Sequence, residues 1–235
     1  MRKSKWQQIL VIIAVTLLMG YSSYADKTIR IRGGTWLDWE DKKGRLWYSG
    51  QKTDQAWGGY IEKRPTIVKP NAEAGQGILS KESQKLVQDA GYDLEMMKQG
   101  SGLGERMDEA IKYKVNTGES GKFDVNLIIA EYWIDHGLRN QQNEKGRAFG
   151  VKIAGRDVAL RFIGPKKNEA MIATFKNNKV SHGRTSMEIH LIRLGDEGSR
   201  PIYMGLEIYP SGADPRLVDV QDKLTTTWGQ IKSNH

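Results

Sequence analysis

Residues 186–192 read SMEIHLI, and residues 202–208 read IYMGLEI. In both segments apolar side chains alternate with polar or small ones, which is the pattern of a strand that buries one face. The glycine-bounded stretch GDEG at residues 195–198 lies between them and predicts that the two strands form a hairpin. A register shift of one residue would turn every apolar side chain outward, so the alternation also identifies the buried face.

Similar alternation extends over residues 122–210. Apolar positions alternate in residues 123–129, 149–153 and 158–162, with turn-forming residues at 154–157 and 164–168. The pair Asn177-Asn178 interrupts a further apolar segment and predicts a break there. We therefore expect residues 122–210 to form an antiparallel sheet built as a meander of hairpins.

Two regions carry helix signals. In residues 80–116, Ser80 and Ser101 are suitable N-caps for two successive helices, and the glycines of residues 100–104 are expected to form a flexible link rather than a phosphate loop. In residues 214–232, Asp214 and Pro215 begin a helix with an apolar stripe at spacings of three and four. The stripe consists of Leu217, Val220, Leu224, Trp228 and Ile231. The predicted class is α+β, with the sheet packed by these helices.

The first 25 residues have the pattern of a cleavable signal peptide. Arg2, Lys3 and Lys5 precede an eleven-residue run from Ile9 to Met19, and the stretch 23–25 places small residues where a signal peptidase cuts. The alternative is an uncleaved anchor, but a spanning helix needs about 20 apolar residues. We expect an exported protein, periplasmic or secreted, without a stable membrane span after cleavage.

The expected mature protein, residues 26–235, is long enough to form one domain. Its 210 residues would bury roughly 70% of the unfolded surface without disulfides, and the chain contains no cysteine. Residues 26–79 form a Trp- and Gly-rich segment of strands and loops, with strands predicted at 28–32 and 45–49. Loss of the signal peptide lowers the net charge from +8 to +5. Basic and acidic residues are interspersed, so we expect no nucleic-acid partner.

The most unusual feature of residues 26–79 is a cluster of four tryptophans. Aromatic rings bury a large area at low entropic cost and stack on the apolar faces of sugars, so an aromatic cluster is typical of a binding surface. The alternative is that the rings fill the core, because tryptophan is highly buried on average. The predicted ligand-binding residues are Trp36, Trp39, Trp47 and Trp57, with Tyr48 and Tyr60 nearby.

Catalytic and metal-binding patterns are weaker. Asp38 and Glu40 lie beside the tryptophans and are the carboxylates that a glycoside hydrolase would need, with Glu131 as a further choice. The four histidines lack the spacing of a zinc site. His190 and Glu188 share a strand face, and Glu207 is expected opposite them as part of a polar cluster. We expect no metal and no cofactor.

These patterns favour a non-enzymatic, exported cell-envelope protein that binds a partner protein or a glycan through its aromatic-rich N-terminal surface. Two alternatives remain. One is a polysaccharide hydrolase that uses Asp38 and Glu40. The other is a structural subunit of a secretion, pilus or conjugation apparatus, to which the hairpin of residues 187–208 would offer an edge for strand addition.

Overall fold

A computed structural model describes residues 28–51, 60–61, 66–68, 78–102, 110–132, 146–194 and 200–215. In these residues there are fourteen strands, one α-helix, α1 (Lys81–Asp89), and one 3₁₀ helix (Leu94–Lys98). The strands are β1 (Ile29–Arg32), β2 (Trp39–Glu40), β3 (Leu46–Ser49), β4 (Tyr60–Ile61), β5 (Thr66–Val68), β6 (Gly100–Gly102), β7 (Ala110–Asn116), β8 (Gly121–Glu131), β9 (Ala148–Ile153), β10 (Arg156–Ile163), β11 (Glu169–Val180), β12 (Ser186–Ile192), β13 (Ile202–Tyr203) and β14 (Gly205–Pro210).

The strands form three sheets. The largest has the order β11-β8-β14-β1-β3-β2, the second has the order β10-β9-β12-β7-β4, and a small one has the order β13-β6-β5. Every pair among the described strands is antiparallel except β1 with β3, which is parallel.

The two large sheets bury their apolar faces in one common core. Leu127 and Leu206 from the six-stranded sheet are at most 1% exposed, as are Val151 and Ile189 from the five-stranded sheet. At one side of the sandwich the ring of Phe162 on β10 lies 6.0 Å from the ring of Phe175 on β11, so the edge strands of the two sheets are in contact. The architecture is a β-sandwich.

The predicted hairpin of residues 187–208 is wrong, although the buried faces of its two segments are as expected. β12 pairs with β7 and β9 in the five-stranded sheet, whereas β14 pairs with β1 and β8 in the six-stranded sheet. Met187, Ile189, Leu206 and Ile208 are all buried, because they point from opposite sheets into the shared core. Alternation therefore identified the core-facing side chains but not the partner strands.

The predicted meander is also corrected, because few sequential strands pair with each other. Among the described strands of residues 122–210, only β9 and β10 form a hairpin of neighbours in sequence. β11 returns to β8 instead. The predicted break at Asn177-Asn178 is a register shift within β11, with Asn177 at a φ of 57°.

The predicted α+β class is wrong, since the described residues are mostly strand. Ser80 caps α1 as expected, accepting a hydrogen bond from the Ser83 amide at 3.2 Å. The expectation of a second helix is wrong at both ends, because residues 100–102 are the buried strand β6 and residues 110–116 are β7. The residues between these strands lie outside the described part of the chain. The predicted C-terminal helix of residues 214–232 lies almost entirely outside the described residues.

The outer face of the six-stranded sheet carries a buried polar network centred on Glu207, which is 0% exposed. Arg30 Nε donates to its Oε1 at 2.9 Å, the Tyr92 hydroxyl donates to its Oε2 at 2.6 Å, and Asn126 Nδ2 donates to Oε2 at 3.2 Å. Burial and the nearby Glu207 charge raise the pKa of Tyr92 far above its ordinary value, so this hydroxyl remains a donor.

We expect Glu207→Gln to destabilise the fold by about 3 kcal/mol, because it leaves the buried Arg30 guanidinium without a counter-charge. The matched control is Glu188→Gln, which removes the same charge from a side chain that is 55% exposed and should change stability by less than about 0.5 kcal/mol. Urea unfolding monitored by tryptophan fluorescence measures both. Equal stability of the two variants would contradict the role given to the network.

Candidate functional site

Three of the four predicted tryptophans lie in or next to the β2–β3 hairpin, at one edge of the six-stranded sheet. Trp39 is directly opposite Trp47 in the antiparallel register, so their side chains project from the same side. The turn is closed by backbone hydrogen bonds from Asp41 to Arg45 at 3.1 Å and from Gly44 to Asp41 at 2.8 Å. Gly44 has a φ of 75°, which a residue with a Cβ rarely adopts.

The buried carboxylate of Asp41 organises this turn. Its Oδ1 accepts hydrogen bonds from the Lys43 and Arg45 amides at 2.9 and 3.0 Å. Its Oδ2 accepts from Arg45 Nε at 2.7 Å and from Trp47 Nε1 at 3.1 Å. Burial alone would raise the pKa of Asp41, but the hydrogen bonds from Arg45 and Trp47 outweigh it and hold the pKa below its ordinary value. This acid is therefore structural.

The turn is also fixed to the segment that precedes the 3₁₀ helix. Arg45 Nη2 donates to the Gly91 carbonyl at 2.7 Å, and the guanidinium carbon lies 5.7 Å from the centroid of the Tyr92 ring. A cleft of about 250 Å³ lies along this junction and is lined in part by Lys42, Arg45 and Leu94. Sequence reasoning missed it, because its two walls are about 50 residues apart in the chain.

The tryptophans differ in what they expose. Trp47 is 1% exposed and packs edge-to-face on Tyr92 at 6.0 Å, so it belongs to the core. Trp39 is half-buried, and the guanidinium carbon of Arg32 lies 4.3 Å from its ring centroid. Trp36 is 49% exposed. Trp57 lies outside the described residues.

Arg32, which sequence reasoning did not select, supports the Trp39 ring. Its Nη2 donates to the Glu95 carbonyl at 3.3 Å, and the residue is 7% exposed. Burial lowers the pKa of Arg32, and the charges of Glu95 and Asp93 oppose this change. A buried guanidinium on an aromatic face is a favourable cation–π contact that holds the ring in place. The signal in the sequence was a basic residue on strand β1 next to the tryptophan segment.

Hydrogen bonds also fix the loop that carries Trp36. The Ser49 amide donates to Asp38 Oδ1 at 2.8 Å, and the Ser49 hydroxyl donates to the Thr35 carbonyl at 2.6 Å. The Gly34 amide donates to Ser101 Oγ at 2.8 Å. We use the name "hairpin surface" for Trp36, Leu37, Asp38, Trp39 and Glu40. Four of these five residues are exposed and Trp39 is half-buried.

Of the three carboxylates proposed for hydrolysis, Glu131 lies far from Asp38 and Glu40. Asp38 and Glu40 are exposed on the hairpin surface. Glu131 is 1% exposed and forms an ion pair with Arg147, whose Nη2 lies 3.2 Å from Oε1. β8 and β2 are four strand positions apart, about 19 Å in a flat sheet. This exceeds the roughly 9.5 Å allowed for a pair of catalytic carboxylates.

The prediction that Glu207 joins His190 and Glu188 in a polar cluster is wrong. His190 Nε2 lies 3.6 Å from a Glu188 oxygen on β12, but Glu207 is buried in the other sheet. In the part of the chain that the structure describes, no group of three histidines or carboxylates has metal-binding geometry. His136 and His235 lie outside it.

No protein-family model matches the sequence, and no curated protein matches it. Solved structures are similar in fold. The ANXUR1 extracellular domain from Arabidopsis thaliana has a TM-score of 0.58 and 13% identity, over 80% of this chain and 49% of that chain. The ANXUR2 extracellular domain from the same organism has a TM-score of 0.56 and 14% identity, over 79% of this chain and 49% of that chain.

A bacterial enzyme also contains a similar fold. Bacteroides uniformis β-glucuronidase 2, covalently bound to cyclophellitol-6-carboxylate aziridine, has a TM-score of 0.52 and 8% identity, over 78% of this chain and 18% of that chain. This chain therefore spans about half of the two Arabidopsis extracellular domains and less than a fifth of the enzyme. At these identities the likeness shows the fold alone, which defines the protein as a β-sandwich module. The described residues contain no helix with the length and apolarity to cross a membrane.

We expect Asp41→Asn to destabilise the protein by about 2 kcal/mol at pH 7, because the buried Arg45 loses its counter-charge. The folded-state pKa of Asp41 is lowered, so its contribution is complete above the unfolded pKa of about 3.9 and is lost as the pH falls through the folded value. The stability difference between wild type and Asp41→Asn should therefore shrink below about pH 4. Urea unfolding from pH 7 to pH 3 measures it.

The control is Asp157→Asn, whose side chain is 49% exposed and lies 3.7 Å from Lys152. Its effect on stability should be small at every pH. A constant difference between wild type and Asp41→Asn across the pH range would show that the Asp41 charge does not stabilise the turn.

Proposed function

We propose that this chain is an exported, non-enzymatic β-sandwich protein that binds a glycan through its hairpin surface. The observation that carries the proposal is the arrangement of two indole rings on a fixed scaffold. Trp36 is 49% exposed. Trp39, three residues later in the chain, is held in place by the Arg32 guanidinium. A rigid aromatic surface binds with little loss of conformational entropy.

The chemistry of the hairpin surface suits a sugar. The C–H faces of a pyranose ring stack on indole, and Trp36 is exposed enough for such a contact. Asp38 lies between the two tryptophans in the chain, and its exposed carboxylate can accept hydrogen bonds from sugar hydroxyls. Glu40 follows Trp39 on β2, so its side chain projects from the opposite face of the strand. Binding sites of this kind combine an apolar platform with a few polar groups that fix the orientation of the ligand.

The structural comparisons also support the proposal of an exported protein with a glycan-related role. The ANXUR1 and ANXUR2 structures are extracellular domains, and the bacterial neighbour is a β-glucuronidase. Together with the signal-peptide pattern of residues 1–25, they support an exported, glycan-related role. The partner is a cell-envelope or extracellular glycan in this proposal, and a partner protein is the other outcome that the experiment below distinguishes.

Neither alternative from the sequence gains support. For the hydrolase, β8 and β2 are too far apart for Glu131 to act with Asp38 or Glu40. The pair of Asp38 and Glu40 stays a prediction that no described contact supports. The strand-addition surface expected at residues 187–208 is wrong, because β12 and β14 each have a paired strand on both sides. We therefore favour binding without turnover.

We expect Trp36→Ala to weaken glycan binding about tenfold, because it removes the exposed ring on which the sugar stacks. A glycan microarray with the wild-type protein identifies the ligand, and isothermal titration calorimetry measures the dissociation constants. The control is Leu160→Ala, which truncates a side chain that is 76% exposed on β10 of the other large sheet. It should leave affinity unchanged.

Both variants should unfold within about 0.5 kcal/mol of wild type, because both side chains are largely exposed. Equal affinity of Trp36→Ala and wild type for the ligand would contradict the assignment of the hairpin surface. If the protein captures a protein partner and responds to no glycan, the ligand is a protein and the proposal of a glycan ligand is wrong.

A further inference from the structure

At one end of the sandwich, three turns meet around a second cleft. The amide of Thr117, just after β7, donates to the Thr185 carbonyl at 2.7 Å, which joins the end of β7 to the β11–β12 turn. The Ala154 amide in the β9–β10 turn donates to the Glu188 carbonyl at 2.8 Å. Between these turns lies a cleft of about 440 Å³. Its volume falls in the range of small-ligand sites.

The walls of this cleft are basic and rich in hydroxyl groups. Lys114 from β7, Lys179 from β11 and Arg184 from the β11–β12 turn supply three positive charges. Among the described residues of the lining, only Glu188 is negatively charged. Lys114 lies directly opposite Glu188 in the register of β7 and β12, so their charges offset each other. The hydroxyl-bearing residues of the lining are Ser181, Thr185 and Ser186.

Lys179 and Arg184 are the cations that remain without compensation. Both residues are exposed. Among the residues that the structure describes, no carboxylate forms an ion pair with either side chain. They converge from different elements, since one lies near the end of a strand of the six-stranded sheet and the other lies in the turn that leads to the five-stranded sheet. Two uncompensated cations at one cleft attract an anionic group.

We propose that this cleft is a second binding site, specific for an oxyanion such as a carboxylate, phosphate or sulfate group. Lys179 and Arg184 make charge-assisted contacts to the oxyanion, and the hydroxyls of the lining donate additional hydrogen bonds. The volume exceeds that of a free oxyanion, so the group is expected on a larger molecule, such as an acidic saccharide.

The site is independent of the hairpin surface. β11 and β2 are the opposite edges of the six-stranded sheet, five strand positions or about 24 Å apart in a flat sheet. A single sugar ring therefore cannot contact both. The oxyanion site can exist whether or not the hairpin surface binds glycans.

Chemical-shift mapping on the full chain tests this site, with trigalacturonate, inorganic phosphate and uncharged cellotriose as probes. We expect trigalacturonate or phosphate to shift the amide signals of residues 179–186, and cellotriose to leave them unchanged. A larger response to trigalacturonate than to phosphate supports a saccharide-borne carboxylate, and the reverse supports a free oxyanion. Failure of both anions to shift these signals would overturn the proposal.

The double variant Lys179→Gln/Arg184→Gln should weaken binding of the anionic probe about tenfold. The matched control Lys176→Gln/Arg161→Gln removes the same two charges from exposed positions on β11 and β10 that do not line the cleft, and it should bind like wild type. Equal weakening in both double variants would show that net charge, not the cleft, attracts anions. Trp36→Ala should bind the anionic probe like wild type. A failure of the oxyanion-site proposal can therefore be distinguished from a failure of the proposed glycan site.

Discussion

The buried carboxylate of Glu207 is the interaction on which the outer layer of the six-stranded sheet depends. A charge in this position is tolerated only if it is paired and hydrogen-bonded, and its partners come from three elements: Arg30 on β1, Asn126 on β8 and Tyr92 after α1. Tyr92 therefore has a fixed place on the sheet. Because Trp47 packs on Tyr92 and Arg45 bonds to the neighbouring Gly91 carbonyl, the same network fixes the hairpin turn. The orientation of the hairpin surface thus follows from a polar group that does not touch it.

Alternation in the sequence identifies which side chains face the core, but it contains no information about which strands pair. Ile189 and Leu206 were both correctly assigned to buried faces, yet they lie in different sheets. The same ambiguity produced a false helix at residues 110–116. Ile111, Tyr113 and Val115 alternate with lysines as in a strand, but Ile111 also extends the helical spacing of the preceding apolar residues. Strand β6 could not be predicted from pattern, because two of its three residues are glycines. Glycine is required at position 100, where a Cβ would lie 2.7 Å from the backbone carbonyl oxygen of Tyr203.

The candidate site was predictable in place but not in detail. Composition alone directed attention to the tryptophans of residues 36–47. It could not separate Trp47, whose indole N–H binds the buried Asp41, from Trp36, which is half exposed. Nor could composition distinguish the acidic residues: the buried Asp41 stabilises the turn through hydrogen bonds, whereas Asp38 and Glu40 are exposed on the surface. The oxyanion cleft had no local signal at all, because its cations are separated by up to 70 residues and are united only by the turns at the end of the sandwich.

The two proposed surfaces differ in their physical character, and this difference has consequences for the ligand. Stacking on Trp36 depends on dispersion and on burial of apolar area, which salt affects little. Attraction to Lys179 and Arg184 is electrostatic and is screened over about 8 Å at physiological ionic strength. Since the two surfaces lie at opposite edges of one rigid sheet, a polysaccharide of several residues with acidic groups could engage both, and the second contact would then form at a high effective concentration. Short neutral sugars would use the hairpin surface alone. Under both proposals, long acidic glycans would therefore bind more tightly than short neutral ones, and this preference would decline as ionic strength rises.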